Sequence, residues 1–471
     1  YGKKTSDDKN ECDQMINLFS FHRYLAFLLK FFVVIFLTYL ATNSFASSNS
    51  KMLPQSIRTE DFVAFNEEKA KLGRLLFYDP ILSGNRNISC GTCHHHNFGG
   101  SDGISLGIGE GGSGLGPQRN AGQNKTRIRE RIARNAPALW NLGALEVEIM
   151  FHDGRVSVSD LFQNGFNTPA EEWLPKGLDH VLAAQALFPL ISQFEMAGNP
   201  KENEIAGAIH NRIDTAWPII AKRVRTIPEY GKMFTKIFDD VNQPSDVKIN
   251  HIVNAIAAFE GLEWKSFDSP FDKYLEGEHM ALTKSQKLGM KLFFGKARCS
   301  SCHSGKFFTD QKFYSLGLPQ FGPGRPRKYD PYARDVGHMA VSDLLQDSYR
   351  FRTPSLRNIE LTKPYGHNGA YPTLKGIIKH HLQPREMLSQ WDTSLAKLPK
   401  APWLEDTDFV VLNDIREQNR LKNSIDIEPL GLDSTEIQNI VFFLYALTGS
   451  ESIAGRLGVP DNVPSGLEVA K

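Results

Sequence analysis

Cysteine is scarce in this chain, five in 471 residues, so a pattern that uses four of them claims nearly the whole supply. Excess charge is missing as well. Fifty-four Lys and Arg against 53 Asp and Glu leave a net +1, which removes the electrostatic case for nucleic acid or another strongly charged partner. Alternating strand patterns are rare, and this argues against a mainly β fold. Long apolar runs are absent except for 24–41, broken only by Lys30 and barely long enough to span a bilayer. What remains is an ordinary soluble composition, 41% hydrophobic and 23% charged, on a chain long enough for two or more domains with substantial cores.

The apolar run has a specific context. His22 and Arg23 precede it, and Ser44-Phe45-Ala46 places small residues at −3 and −1 of a cleavage site. Residues 1–46 are therefore expected to be a secretory signal peptide, with an uncleaved anchor helix as the competing reading. Cleavage would remove Cys12 and leave a mature chain with four cysteines.

Those four lie in two copies of one motif: Cys90-Gly91-Thr92-Cys93-His94 and Cys299-Ser300-Ser301-Cys302-His303. Cys-x-x-Cys-His is the attachment signature of c-type haem. Two thiols add across the porphyrin vinyl groups, and the adjacent imidazole becomes the proximal iron ligand. A zinc ribbon needs its knuckles close together, whereas these are some two hundred residues apart. A thioredoxin-like pair has no use for the following histidine. Two c-type haems are the expected cofactors, and their attachment outside the cytoplasm agrees with export to the periplasm.

A similar stretch precedes each motif: Lys71-Leu72-Gly73-Arg74-Leu75-Leu76-Phe77 and Lys287-Leu288-Gly289-Met290-Lys291-Leu292-Phe293. Their spacing predicts short amphipathic helices. A helix followed by Cys-x-x-Cys-His opens a cytochrome c domain, and finding it twice points to duplication. The expected fold is mainly α, with two tandem cytochrome c-like domains at 47–265 and 266–471, one covalent haem in each, joined by long loops. Further helices are expected over 205–213, 250–264 and 435–447. The last begins after Asp433-Ser434, favourable N-cap chemistry. The stretch 98–120 is glycine-dense and should be a loop. Its Gly107-x-Gly109-x-x-Gly112 lacks the strand and βαβ context of a dinucleotide site. The basic run 125–134 reads as a solvated helix face. The Pro-containing stretch 382–428 suggests no role.

The chain also resembles the bacterial dihaem cytochrome c peroxidase and MauG family. Beyond the haem motifs, the resemblance rests on Arg134-Asn135-Ala136-Pro137, Phe151-His152-Asp153-Gly154-Arg155 and Phe194-Glu195-Met196. Later it includes Ser269-Pro270-Phe271-Asp272, Thr353-Pro354-Ser355-Leu356-Arg357-Asn358, Leu361-Thr362-Lys363-Pro364-Tyr365 and Phe443-Leu444-Tyr445-Ala446-Leu447-Thr448-Gly449. The resemblance implies that the His94 haem handles peroxide and the His303 haem passes electrons. Gln185, Pro189 and Glu195 keep the family's spacing for a distal pair, with Glu195 as acid–base group and Gln185 orienting peroxide. The bland readings are an exposed loop carboxylate for Glu195 and a helix surface amide for Gln185.

The sequence departs from the family in places. Many members block the peroxidatic iron with a loop histidine; here 98–150 holds none, and Ile108 or a neighbour falls at that position. An iron open in the oxidised state follows. The sixth ligand of the second haem, Met or Tyr in relatives, falls at His381, with His380 and Met387 as competitors. His152 stands where the family has Trp, and 156–184 is longer than the family norm. The resemblance also implies a calcium held by Asn135 and the backbone oxygens of Thr362 and Pro364. His95 and His96 read as solvent-facing or propionate-contacting, and His367 as a structural hydrogen-bonder.

The leading expectation is a peroxidase that reduces hydrogen peroxide to water with electrons from a small cytochrome c or copper protein. One alternative is a MauG-like high-valent haem oxidase of a partner protein. Another, of a different class, is a dihaem electron-transfer cytochrome without peroxide chemistry. A homodimer is the assembly the resemblance suggests.

Overall fold

Two crossing helix pairs organise the molecule. In the computed structural model, which describes residues 53–325, 330 and 333–471, helix α1 (Glu67–Tyr78) precedes the first haem motif. Asn66 caps it by accepting from Lys69 N at 2.9 Å, and Glu67 and Glu68 complement the dipole of its first turn. Helix α2 (Val181–Ala186) follows, then α3 (Ile249–Glu263), which is buried along almost all its length. Next come α4 (Lys284–Phe294), α5 (Leu374–Leu382) and α6 (Ser434–Tyr445). α1 packs on α3, and α4 packs on α6. The expected signal segment and Cys12 lie outside the described residues.

The duplicated Lys-Leu-Gly triplets explain both crossings. A Cβ at Gly73 would sit 1.8 Å from the Ala255 carbonyl oxygen on α3. A Cβ at Gly289 would sit 1.9 Å from that of Asn439 on α6. Each pair thus approaches at a point where only glycine fits, and each approach sets the helix that leads into a Cys-x-x-Cys-His turn. Capping boxes fix the starts of α4, through Thr283 and Gln286, and of α6, through Asp433 and Glu436.

Sheet is minimal. β1 (Ile149–Met150), β2 (Val156–Val158) and β3 (Phe166–Asn167) form an antiparallel meander, with Ile149 opposite Ser157 and Val158 opposite Phe166. Its first turn is the 151–155 motif, where Phe151 (φ 67°) and Gly154 (φ 74°) adopt left-handed backbone. β4 (Phe313–Tyr314) pairs antiparallel with β5 (Phe351–Arg352). The chain end returns to the N-terminal core. Val463 and Val469 are buried there, and Arg74 donates to the carbonyls of Gly458 and Val459 at 2.8 and 2.9 Å.

Two local expectations fail. The helix over 205–213 closes early, as Glu204–Ala208: Gly207 and Asn211 are weak helix formers, and the Thr215 hydroxyl takes the Ala208 carbonyl. The basic run 125–134 holds only the end of a 3-10 turn (Asn124–Thr126) and is otherwise loop, not a solvated helix face. Arg131 and Arg134 are buried because Asp408 and Asp335, remote in sequence, pair with them.

Candidate functional site

Both Cys-x-x-Cys-His motifs fold as short turns. Cys90–Cys93 is a single helical turn begun by Ser89, and Cys299–Ser301 is a tighter 3-10 turn begun by Arg298 in left-handed backbone. His94 Nδ1 lies 3.0 Å from the Gly100 carbonyl, and His303 Nδ1 lies 3.1 Å from that of Phe308. A ring that donates through Nδ1 keeps the Nε2 lone pair for a metal. Among the described residues no disulfide joins Cys90, Cys93, Cys299 or Cys302. Burial pushes the first pair's thiols up, Cys93 to about 12, the opposite of what an exchanging dithiol needs.

A cavity of about 520 Å³ opens beside the second motif, a size suited to a large cofactor. Cys299, Cys302, His303 and His381 line it, with Leu374, Ile378 and Leu444 among its apolar walls. The His303 and His381 ring centroids are 6.5 Å apart. Two imidazoles on opposite sides of one metal have nitrogens about 2 Å from it and ring centres about 1.2 Å further out, so their centroids lie about 6.4 Å apart. The pair fits a haem iron between the rings. His381 Nδ1 lies 2.8 Å from the Ile377 carbonyl one turn back on α5, which leaves Nε2 for the cavity. His380 has no nitrogen to spare: Nδ1 meets the Tyr371 hydroxyl and Nε2 the Leu316 carbonyl, both at 2.8 Å. Met387, on the following helical segment Pro384–Ser389, does not line the cavity.

The distal candidates lie on one continuous bend. Every side chain of α2 is buried except that of Gln185, which is half-buried. Pro189–Ile191 turns the chain, and Gln193–Ala197 forms one π-helical turn carrying Glu195. Such wide turns recur at functional sites. Burial raises the Glu195 carboxyl above the ordinary carboxylate range; Arg155, Arg325 and a hydrogen bond with Ser192 pull it back. Its charge in turn raises the Cys93 thiol, so Glu195 stands within electrostatic reach of the first haem motif. Glu195 is half-buried in the fold, not an exposed loop carboxylate.

The glycine loop presses on this bend. A Cβ at Gly109 would lie 2.0 Å from the Phe194 carbonyl oxygen, and Glu110 N–H donates to that oxygen at 3.1 Å. Ile108 is fully buried. Sequence reasoning missed Arg119, which donates to the carbonyls of Ile108 (2.5 Å), Gly109 (2.9 Å) and Gly114 (2.8 Å). It also missed Arg155, although the compact 151–155 motif offered a signal. Asp102 was missed too: fully buried, with Oδ2 lacking a partner, it is pushed by burial to about 7.

His95, His96, His152 and His367 make structural contacts. His95 is buried and not solvent-facing, and its ring accepts from Asn97 N. His96 stacks on Trp264 at 5.0 Å and pairs with Glu263 at 2.9 Å. Burial pulls His152 down to about 4, and its Nε2–H donates to the Asn135 carbonyl at 3.1 Å. His367 stacks on Phe351 at 3.6 Å, and its buried Nδ1 lacks a partner, so its contact is ring packing and not the hydrogen bond expected of it. Asn135, Thr362 and Pro364 line the same cavity. Asn135 Nδ2 donates to the Ile104 carbonyl, so Oδ1 is the amide atom left to meet a hard cation. Among the described residues no cluster of three or more His, Cys, Asp or Glu could hold a metal ion, and the Asn135 set contains no carboxylate.

Residues 67–280 match the family described as di-haem cytochrome c peroxidase. Over 333 residues the chain is 29% identical to cytochrome c551 peroxidase of Pseudomonas aeruginosa, covering 71% of this chain and 77% of that one. Methylamine utilization protein MauG of Methylorubrum extorquens is 27% identical over 332 residues, covering 70% and 73%. A crystal structure of a MauG-like protein associated with microbial copper homeostasis superposes with a TM-score of 0.54 at 26% identity, covering 86% of this chain and 96% of that one. Helical architecture, matched domain and relatives agree: residues 67–280 carry a di-haem cytochrome c peroxidase domain, and the chain is similar to the cytochrome c peroxidases and MauG proteins, which makes it an oxidoreductase.

Proposed function

We propose that the protein is a periplasmic peroxidase that carries two c-type haems, one in each of two cytochrome c-like domains (47–265 and 266–471), and reduces hydrogen peroxide to water with electrons from a small cytochrome c or copper protein. The observation that carries this reading is an asymmetry. His303 faces a second imidazole at 6.5 Å, whereas the group held beside the first motif is a carboxylate, Glu195. When bound, the haem on His94 supplies an iron open to the oxidant, and the haem on His303 supplies stored electrons.

The chain's own residues handle the protons. Glu195 would take a proton from one oxygen of the peroxide and return it to the other, so that the second could depart as water. A carboxyl raised by burial can hold that proton, while Arg155 and Arg325 keep its ionised form accessible beforehand. The Gln185 amide donates to peroxide and orients it. Two electrons and two protons enter per peroxide, and two waters leave. Asn135 with the carbonyl oxygens of Thr362 and Pro364 is the proposed calcium site.

The test is steady-state turnover of holoprotein with hydrogen peroxide and a reduced small cytochrome c. Two donor molecules oxidised per peroxide is the expected stoichiometry. The histidine-free 98–150 stretch and the paired imidazoles at His303 favour a second reading, a MauG-like oxidase of a partner protein. That enzyme would consume peroxide but turn over the cytochrome poorly.

A further inference from the structure

The 382–428 insertion, which has no role in the sequence, crosses to the glycine loop of the other half. Ser105 and Lys397 clasp each other: Ser105 N–H donates to the Lys397 carbonyl at 2.9 Å, and Lys397 N–H to Ser105 Oγ at 2.7 Å. Ala401 and Leu404 are buried with Ile104, Ile108, Ala121 and Ile128. Trp403 Nε1 donates to the Ile128 carbonyl at 2.9 Å, and Arg127 covers the indole at 4.6 Å. Arg131 and Asp408 form a bidentate pair at 2.9–3.0 Å, with side chains 2% and 4% exposed. The insertion is itself anchored. Trp391 stacks on Phe321 at 5.4 Å and donates to the Ala370 carbonyl at 2.9 Å.

We infer that residues 391–408 form an intramolecular strap that holds the glycine loop, and through it Glu195, in the working arrangement of the peroxide site. The inference rests on the role of Glu195 proposed above. Force passes along a short path. The strap fixes residues 104–131, Arg119 ties three carbonyls of the loop into one piece, and Gly109 and Glu110 bear on Phe194 and Glu195 with no slack. Close-packed segments move together, so a loop displaced by an ångström carries the carboxylate with it. Arg131 and Asp408 are positioning residues in this scheme. A surface insertion that merely added stability would not need a desolvated ion pair at this point, because such a pair gains little over apolar packing.

The test uses holoprotein with both haems in place. In Asp408→Asn, hydrogen exchange of amides 104–114 should accelerate by about 10-fold or more, since Arg131 is left buried without its partner. Exchange in α4 and α6 should not change. The high-spin ferric EPR signal of the His94 haem should broaden, and the rate constant for peroxide should fall by about 10-fold, the size expected when a catalytic group is slightly misplaced. The double variant Arg131→Met/Asp408→Leu keeps the contact without charge and should restore protection, signal and rate. The inference is overturned if exchange accelerates uniformly, or if loop exchange, EPR signal and rate all stay as in wild type. A Glu195→Gln protein that reacts normally with peroxide would remove the Glu195 role alone, leaving exchange and EPR to judge the strap.

Discussion

Replacing Glu195 by Gln keeps its size and leaves the close contact of Gly109 with Phe194 in place, yet removes the ability to accept a proton. General acid–base groups contribute about 10²–10⁴-fold, so the rate constant for peroxide should drop by that factor. At about 1.4 kcal/mol per tenfold this is about 3–5 kcal/mol of barrier. The pH profile carries the sharper information. Glu195 must be ionised to take the first proton, and burial holds its carboxyl above the ordinary range. The wild-type rate should therefore fall as pH drops through that raised value, at a higher pH than for an exposed carboxylate. Arg155→Met removes a cation that favours the ionised form, so the fall should move to still higher pH. Stopped-flow mixing of ferric holoprotein with peroxide across a pH series reads both effects. If Glu195→Gln keeps the wild-type rate and the same acid limb, the proton-transfer argument is wrong.

Two further perturbations address the scaffold. Gly73→Ala and Gly289→Ala each place a Cβ inside 2 Å of a carbonyl oxygen on the facing helix, so the helices must part; each should cost about 1–3 kcal/mol in chemical denaturation, and no loss would contradict the packing account. Asp102 is raised from 3.8 to about 7, so between those values the unfolded chain has released a proton that the folded chain retains. Its destabilising effect is absent below the lower value and complete above the higher one. Asp102→Asn should therefore raise the melting midpoint clearly near pH 8 and little near pH 4. An equal gain at both would contradict it.

Chemistry carried by contiguous residues was legible in the sequence. Both haem motifs, the preceding helices and the mainly helical architecture followed from spacing and periodicity. The repeated Gly73 and Gly289 were visible too, though their role in the helix crossings needed coordinates. Long-range partners were not legible. The basic run 125–134 looked solvated because nothing nearby reveals that Asp408 and Asp335 fold onto Arg131 and Arg134. His96 read as solvent-facing or propionate-contacting because Glu263 and Trp264, which meet it, lie at the far end of α3. The difference between His380 and His381 likewise turns on which ring nitrogens are already committed, a property of the folded chain.

The central claim is that the two irons differ in ligation, the first open on its distal side and the second held between His303 and His381. Low-temperature EPR of the fully oxidised holoprotein tests it directly. The account predicts one high-spin ferric signal and one low-spin signal of bis-imidazole type. Two low-spin signals, with no high-spin component, would contradict it.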